Sequence, residues 1–246
     1  MKTTLINYAD RDFYRAQRIN CETGLRVGGF DHVIACNRHS MEPKFRDRHR
    51  ETLMLPRGAG YWLWKPYIML RALREAVAQG DMLFYCDSGC RFIAPIAPLI
   101  EHCLRDTEKP VLLFTLTANH TNGRWTKRDC FLALDVEDPE IVAAPQIVST
   151  FILCRNVPFT VDLIAQWLTL AENPQLLTDA PNACGVPNYP DFIEHRHDQS
   201  LLSLLGYKHR IQTLPDISQW GNADRKDIPQ FIHHTREHDR DIVIEG

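Results

Sequence analysis

Asp87 closes a buried apolar run, Met82-Leu83-Phe84-Tyr85-Cys86, and opens the turn Asp87-Ser88-Gly89. A carboxylate in that place can hold a divalent cation, and the cation in turn neutralises phosphate oxygens. Asp-Ser-Gly is also good turn chemistry, so a purely conformational role stands beside the functional one. Upstream lie Trp62, Trp64 and Lys65. Their rings can stack on a ligand or simply pack a helix start, and the ammonium can pair with phosphate. A second stretch reads His195-Arg196-His197-Asp198-Gln199-Ser200. Asp198 is either a reacting-site acid or the N-cap of a helix over 199–205 that Gly206 ends. His195 and His197 could ligate a metal, although no further histidine follows Asp198 at once to complete a hydrolase pattern. His233, His234 and His238 form a third group, readable as ligands or as a solvated tail.

Elements that could position these groups follow from the apolar spacing. Residues 4–8 and 32–36 read as strands joined by a helix over 13–25, with Gly28-Gly29 as its breaker, which makes a βαβ unit. Residues 37–52 are polar, a loop with some helix. Pro66 suits a first helical turn. Ile68/Met69, Ala72/Leu73 and Ala76/Val77 give that helix one apolar stripe. Gly80 is placed to cap it before the strand at Met82–Cys86. Further strands are expected at 110–116 and 146–154. Helices are expected towards Ile100, through Leu134 and over 160–171 around Trp167. From Pro215 onward the chain is polar, with little periodicity. Alternating strands and helices predict an α/β fold with a mostly parallel sheet flanked by helices. An acid at the carboxyl end of a buried strand is where such sheets bind ligands. Neither a G-x-G-x-x-G fingerprint nor a P-loop is present, which argues against a nicotinamide enzyme and a P-loop NTPase.

Bulk properties narrow the class. With 246 residues, 44% hydrophobic and 24% charged, the sequence suits one soluble globular domain. A formal charge of -3 gives no electrostatic reason for nucleic-acid binding. Arg46, Arg48 and Arg50 are interrupted by Asp47 and Glu51, the mixed-sign pattern of a solvated helix face. No stretch reaches the ~18 apolar residues of a membrane span. The start MKTTLINYADRDF has no long apolar core, so neither a signal peptide nor an anchor is expected. Eight cysteines without a C-x-x-C pair, mostly inside apolar runs, predict buried thiols in a cytoplasmic protein.

Gly60-Tyr61-Trp62-x-Trp64-Lys65-Pro66, followed by Gly80-Asp81-x-x-x-Tyr85-x-Asp87-Ser88-Gly89, resembles bacterial glycosyltransferase-like proteins of the GT-A fold, of the capsule and mannan type. The likeness runs from Leu5 to about Thr235. It implies one GT-A-like domain, with a nucleotide-sugar-binding half at about 1–118 and an acceptor and catalytic half at about 119–246. It also implies transfer of a sugar from a nucleoside diphosphate donor to a glycan or lipid-linked acceptor in surface polysaccharide synthesis, with possible peripheral membrane association. Donor contacts would be Tyr8, Asp10, Lys65, Asp87 and Ser88. Asp198 and Gln199 would lie by the anomeric carbon, which favours retention. Trp125 and Lys127 would meet the acceptor. Asp87 with His233 or His234 would hold Mn²⁺ or Mg²⁺, although glycine stands where the second acid of Asp-x-Asp is expected. That gap keeps open a non-catalytic sugar- or nucleotide-binding module on the same fold. A histidine-metal hydrolase is the third reading.

Overall fold

A computed structural model describes residues 1–10, 12–221 and 229–235. Its main sheet has six strands in the order β2-β1-β3-β6-β5-β7. These are β1 (Thr3–Tyr8), β2 (His32–Cys36), β3 (Met82–Cys86), β5 (Val111–Thr115), β6 (Phe151–Arg155) and β7 (Thr213–Pro215). β1 pairs in parallel with β2 and β3, and β5 does so with β7. β6 is the exception, running antiparallel between β3 and β5. The sheet is therefore mostly parallel, as the alternation of elements predicts.

Burial on both faces explains the unbroken apolar runs of the central strands. Ile6, Leu83, Tyr85, Ile152 and Cys154 pack on one face, beneath the helices Trp64–Glu75, Pro158–Ala171 and Asp198–Lys208. Leu5, Phe84, Leu112, Phe114 and Leu153 turn to the other face, onto Phe30, Phe92 and Leu99. Trp167 is fully buried, and its indole N–H donates to the Asp198 carbonyl at 2.9 Å. That bond fixes the start of the helix on which Asp198 sits.

Several boundaries differ from the sequence reading. The helix after Trp62 is Trp64–Glu75, so it ends well before Gly80. Gly80 does adopt a left-handed φ of 89°, but in the turn that enters β3. The strand expected over 146–154 is only Phe151–Arg155; Ile147 makes a single bridge to Thr115. Gly206 does not end its helix, which continues to Lys208. The segment read as a loop with some helix from 37 to 52 contains a 3-10 turn at Arg38–Ser40 and two short α-helices, Pro43–Arg48 and Arg50–Leu53. Past Pro215, β8 (Ile232–His234) pairs antiparallel with β4 (Cys90–Phe92), just after Gly89. Three-residue strands carry too little periodicity to be read from sequence. The expected His238 lies outside the described residues.

A buried polar network ties the end of β1 to the helix Tyr14–Thr23. Asn7 donates to Asn20 at 2.7 Å and accepts from Gln17 at 2.9 Å. Gln17 also donates to the Cys36 carbonyl, and Asn20 to that of Cys90, each at 2.8 Å. Four segments thus meet in satisfied bonds beneath the strand ends. Asn20→Ala leaves a fully buried amide and a carbonyl short of partners, and should cost about 1–3 kcal/mol in urea denaturation.

Candidate active site

A cleft of about 550 Å³ opens at the carboxyl ends of β1 and β3. It is lined by Tyr8 and Asp10 after β1, Asp87 and Ser88 after β3, the 56–65 segment, Ser149, and residues 196–199. Open α/β sheets bind ligands in this place because loops from adjacent strands diverge there.

Lys65 is the centre of the floor. Its side chain is 1% exposed, and Nζ lies 3.3 Å from Asp87 Oδ1 and 3.2 Å from Asp198 Oδ2. Nζ also donates to the Ser149 carbonyl at 3.0 Å and meets its hydroxyl at 3.2 Å. Burial alone would push the ammonium's pKa down, but Asp198 and Asp87 outweigh it and hold the pKa above the ordinary value. Burial pushes the Asp198 carboxyl up, against the opposing pull of Lys65 and Ser149. Asp87 accepts a further bond from the Tyr85 hydroxyl at 2.5 Å. The structure thus joins the two acids that the sequence places 111 residues apart. It also shows that Lys65, with four acceptors around three N–H groups, is committed to them rather than to phosphate.

Asp198 is not an N-cap. It is the first residue of its helix, 3% exposed, with its carboxylate turned onto Lys65; the preceding His197 makes no side-chain cap bond. Gln199 accepts from the Ser149 N–H at 3.4 Å and donates to Gln146 at 2.6 Å, which braces the segment above the sheet. Ser88 donates from its hydroxyl to the Tyr8 carbonyl, clamping the ends of β1 and β3 together. Tyr8 stacks on Trp64 with centroids 3.9 Å apart, and Trp64 donates its N–H to Gly58. Trp64 is thus packing that also lines the cleft. Asp10 lies at the cleft's edge.

The other expected residues go elsewhere. Lys127 is 2% exposed, with Nζ on the Thr178 and Ala180 carbonyls at 3.0 Å, so it is not free to meet an acceptor. Trp125 does not line the cleft; its ring carries the Arg196 guanidinium at 4.2 Å, and Arg196 does line it. His233 and His234 are successive residues of β8, and successive strand side chains point to opposite faces. His234 alone reaches the cleft, so His233 is not placed to hold a metal with Asp87. A divalent cation wants several oxygen ligands. Asp87 already carries an ammonium at 3.3 Å, and among the described residues no group of three metal-ligating side chains exists. These donors do not fit a cation site. The hydrolase reading fails similarly at His195, whose Nε2 is 2.8 Å from the Leu176 carbonyl and whose Nδ1 faces the Lys127 N–H at 3.5 Å.

Sequence reasoning missed the backbone of the wall beside Lys65. Residues 58–62 all have positive φ: 57° at Gly58, 51° at Ala59, 102° at Gly60, 53° at Tyr61 and 60° at Trp62. Left-handed winding costs an L-residue roughly 1–2 kcal/mol. Glycine is required at Gly60, where a Cβ would lie 2.7 Å from the Leu53 Cα, and at Gly58, where it would strike the Trp62 ring at 2.4 Å. The spaced glycines of Arg57-Gly58-Ala59-Gly60 were the available signal. The turn presents Trp62 to His197, with ring centroids 5.7 Å apart and planes 20° apart.

No family model matches this chain, and no curated protein matches it. Solved structures do. A glycosyltransferase involved in glycosylation of the major capsid of PBCV-1 overlays with 98% of this chain and 96% of its own, at 10% identity and a TM-score of 0.50. The bifunctional glycosyltransferase WbbM overlays at 12% identity and a TM-score of 0.52. That match takes in 92% of this chain but only 41% of WbbM's length. Mouse xyloside xylosyltransferase 1 covers 99% of both chains at 12% identity, with a TM-score of 0.49. The α/β fold seen here is shared with WbbM and the PBCV-1 glycosyltransferase. Among the described residues, no helix is long and apolar enough to cross a membrane.

Lys65→Met removes the cation from between two carboxylates and should cost about 3–5 kcal/mol at neutral pH. With the ammonium gone, only the Ser149 hydrogen bond opposes the burial that already pushes Asp198 up. An acid whose folded pKa lies above its unfolded value binds its proton more tightly when folded, so its contribution to stability grows as pH falls through that folded pKa. Urea titrations of variant and wild type at pH 7.5 and pH 5 should show the gap narrowing at the lower pH.

Proposed function

We propose that this chain is a glycosyltransferase that moves a sugar from a nucleoside diphosphate to a glycan or lipid-linked acceptor hydroxyl. The observation that carries the reading is the Asp87–Lys65–Asp198 cluster on the floor of the strand-end cleft, in a fold shared with glycosyltransferases. In this reading Tyr8 and Asp10 border the base. Arg57 and Arg196, both lining the cleft and both half-exposed, face the diphosphate. The bond from the anomeric carbon to the diphosphate oxygen breaks as one to the acceptor oxygen forms. The two guanidinium groups stabilise the charge that develops on the departing diphosphate. No step is routed through a divalent cation.

We further propose transfer with retention. Asp87 and Asp198 share one ammonium, which weakens either as a general base, so the acceptor proton passes to the departing phosphate oxygen. A location at the cytoplasmic side, on surface polysaccharide with peripheral membrane contact, completes the proposal and rests on the sequence resemblance alone.

A thermal-shift screen of UDP and GDP sugars, run with EDTA and with Mn²⁺, tests donor binding. A true donor at ~100 times its dissociation constant should stabilise the fold by roughly 2.7 kcal/mol. Asp198→Asn keeps the shape of the floor but removes its charge. It should lower turnover by at least ~100-fold, equivalent to about 2.7 kcal/mol of barrier. Binding without transfer to any acceptor would instead favour a non-catalytic module.

A further inference from the structure

The lysine cluster leaves one buried group of the cleft unexplained. His197 lines the cleft, yet its side chain is only 2% exposed. Its Nδ1 lies 2.9 Å from the Leu177 carbonyl, which can only accept, so Nδ1 carries the ring proton and Nε2 the lone pair. Nε2 has no hydrogen-bond partner. The charged atom facing it is Asp179 Oδ1 at 3.8 Å, itself an acceptor; the other carboxylate oxygen, Oδ2, accepts from the Tyr61 hydroxyl at 2.7 Å and from Arg57 at 3.1 Å. Burial and the neighbouring Arg57 push the imidazole down to about 4, so protonation does not supply the missing donor near neutral pH.

Geometry adds to the oddity. His197 holds φ 57° and ψ -124°, a backbone conformation that L-residues seldom adopt. Such strain persists where surrounding contacts over-determine it, and those places cluster at ligand sites. Trp62 stacks on the imidazole from the strained 58–62 turn, so two strained segments hold one ring in place. Beside it, Asp198 Oδ2 is also buried without an aligned hydrogen bond, although it lies 3.2 Å from Lys65 Nζ. Lys65 spends its N–H groups inside the cluster. The floor therefore offers acceptors, and its two carboxylates exceed its one ammonium by one negative charge.

We propose that His197 Nε2 accepts a hydrogen bond from a hydroxyl of the bound sugar, and that this floor selects neutral, hydroxyl-bearing sugars over uronates. A hydroxyl supplies the donor that Nε2 lacks. A uronate carboxylate would bring a second acceptor and a like charge to a site already negative. The inference rests on the nucleotide-sugar reading above and names the sugar class for it.

Calorimetry on the full chain can separate the two. The probes are UDP and GDP, their glucose and mannose conjugates, and UDP-glucuronate or GDP-mannuronate to match whichever base binds. For wild type, the neutral conjugate should bind at least ~10-fold more tightly than the uronate, since like charge in a buried site is heavily disfavoured. His197→Phe keeps a ring against Trp62 but has no acceptor. It should weaken the neutral conjugate about 5–10-fold, the loss expected for one hydrogen bond, and leave the bare diphosphate within twofold. His197→Asn, which tolerates positive φ and is too short to reach, should show the same split if the phenylalanine variant misfolds. Equal binding of neutral and uronate conjugates by wild type overturns the proposal, as does an equal loss for conjugate and bare diphosphate in the variants. If neither UDP nor GDP binds wild type, the nucleotide-sugar reading itself fails, and this inference falls with it.

Discussion

One buried ammonium sets the terms for the rest of this molecule. Lys65 is 1% exposed and would be untenable alone, because removing a charge from water costs several kcal/mol. Asp87, Asp198 and Ser149 make it tolerable, and each comes from a different part of the chain. Asp87 must therefore stand at the end of β3. Asp198 must open a helix whose first turn faces the sheet, and the 149 segment must cross between them. Fully buried Trp167 secures the second condition by binding the Asp198 carbonyl. Gln146 and Gln199 secure the third, with Ser200 and Ser203 anchored to the same loop region.

Such a cluster is poor evidence for stability as such. A buried ion triad often contributes less than an apolar trio of equal volume would. What it fixes is position. The carboxylates are held close through the ammonium, at the one place where the parallel strands open a cleft. Tyr85, on the central strand, aligns Asp87 from below, while the clamp of Ser88 on Tyr8 keeps the ends of β1 and β3 in register. The left-handed 58–62 turn then brings Gly58 and Trp62 against the same floor. Its strain is sustained by the Trp64 N–H on the Gly58 carbonyl and by the aromatic stack on His197.

Much of this was legible from local pattern. β3 is a continuous apolar run because both faces are covered, and Asp87 stands out as the acid that ends it. The helix around Trp167 was expected over 160–171 and is found at Pro158–Ala171. Pairwise chemistry was less visible. Lys65 looked like a phosphate ligand because a lysine beside aromatics is usually exposed, and nothing local reveals that two distant acids will surround it. Asp198 could be a reacting-site acid or a cap, because an acid before a helix is often a cap. Only its burial shows that the carboxylate turns inward. His233 and His234 looked like alternative ligands until β8 proved to be a strand, where neighbours point to opposite faces and only His234 reaches the cleft. Gln146 to Ser149 read as part of a strand, yet only two of its backbone groups bond β5 and the residue after it, at Gln146 and Val148, while the Ile147 and Ser149 N–H groups go to the side chains of Ser203 and Gln199.

The same constraint bears on the missing second acid of the turn. With glycine at position 89, a cation at Asp87 would have few carboxylate oxygens and an ammonium in contact with one of them. Two cations cannot share that oxygen at low cost, since like charges a few ångströms apart in a partly buried site repel strongly. The positive charge beside Asp87 is instead the Lys65 ammonium, which is built into the chain. It is placed beneath the cleft rather than within it, and its work is to hold Asp87 and Asp198. Charge for an anionic ligand must then come from the walls, where Arg57 and Arg196 stand on opposite segments, each steadied by an acid at 3.1 Å and 3.0 Å. Acceptors thus line the floor of the cleft and guanidinium groups its walls, with Asp10 and Asp12 also in the lining, and under the proposed function the anionic end of the ligand would meet the guanidinium groups.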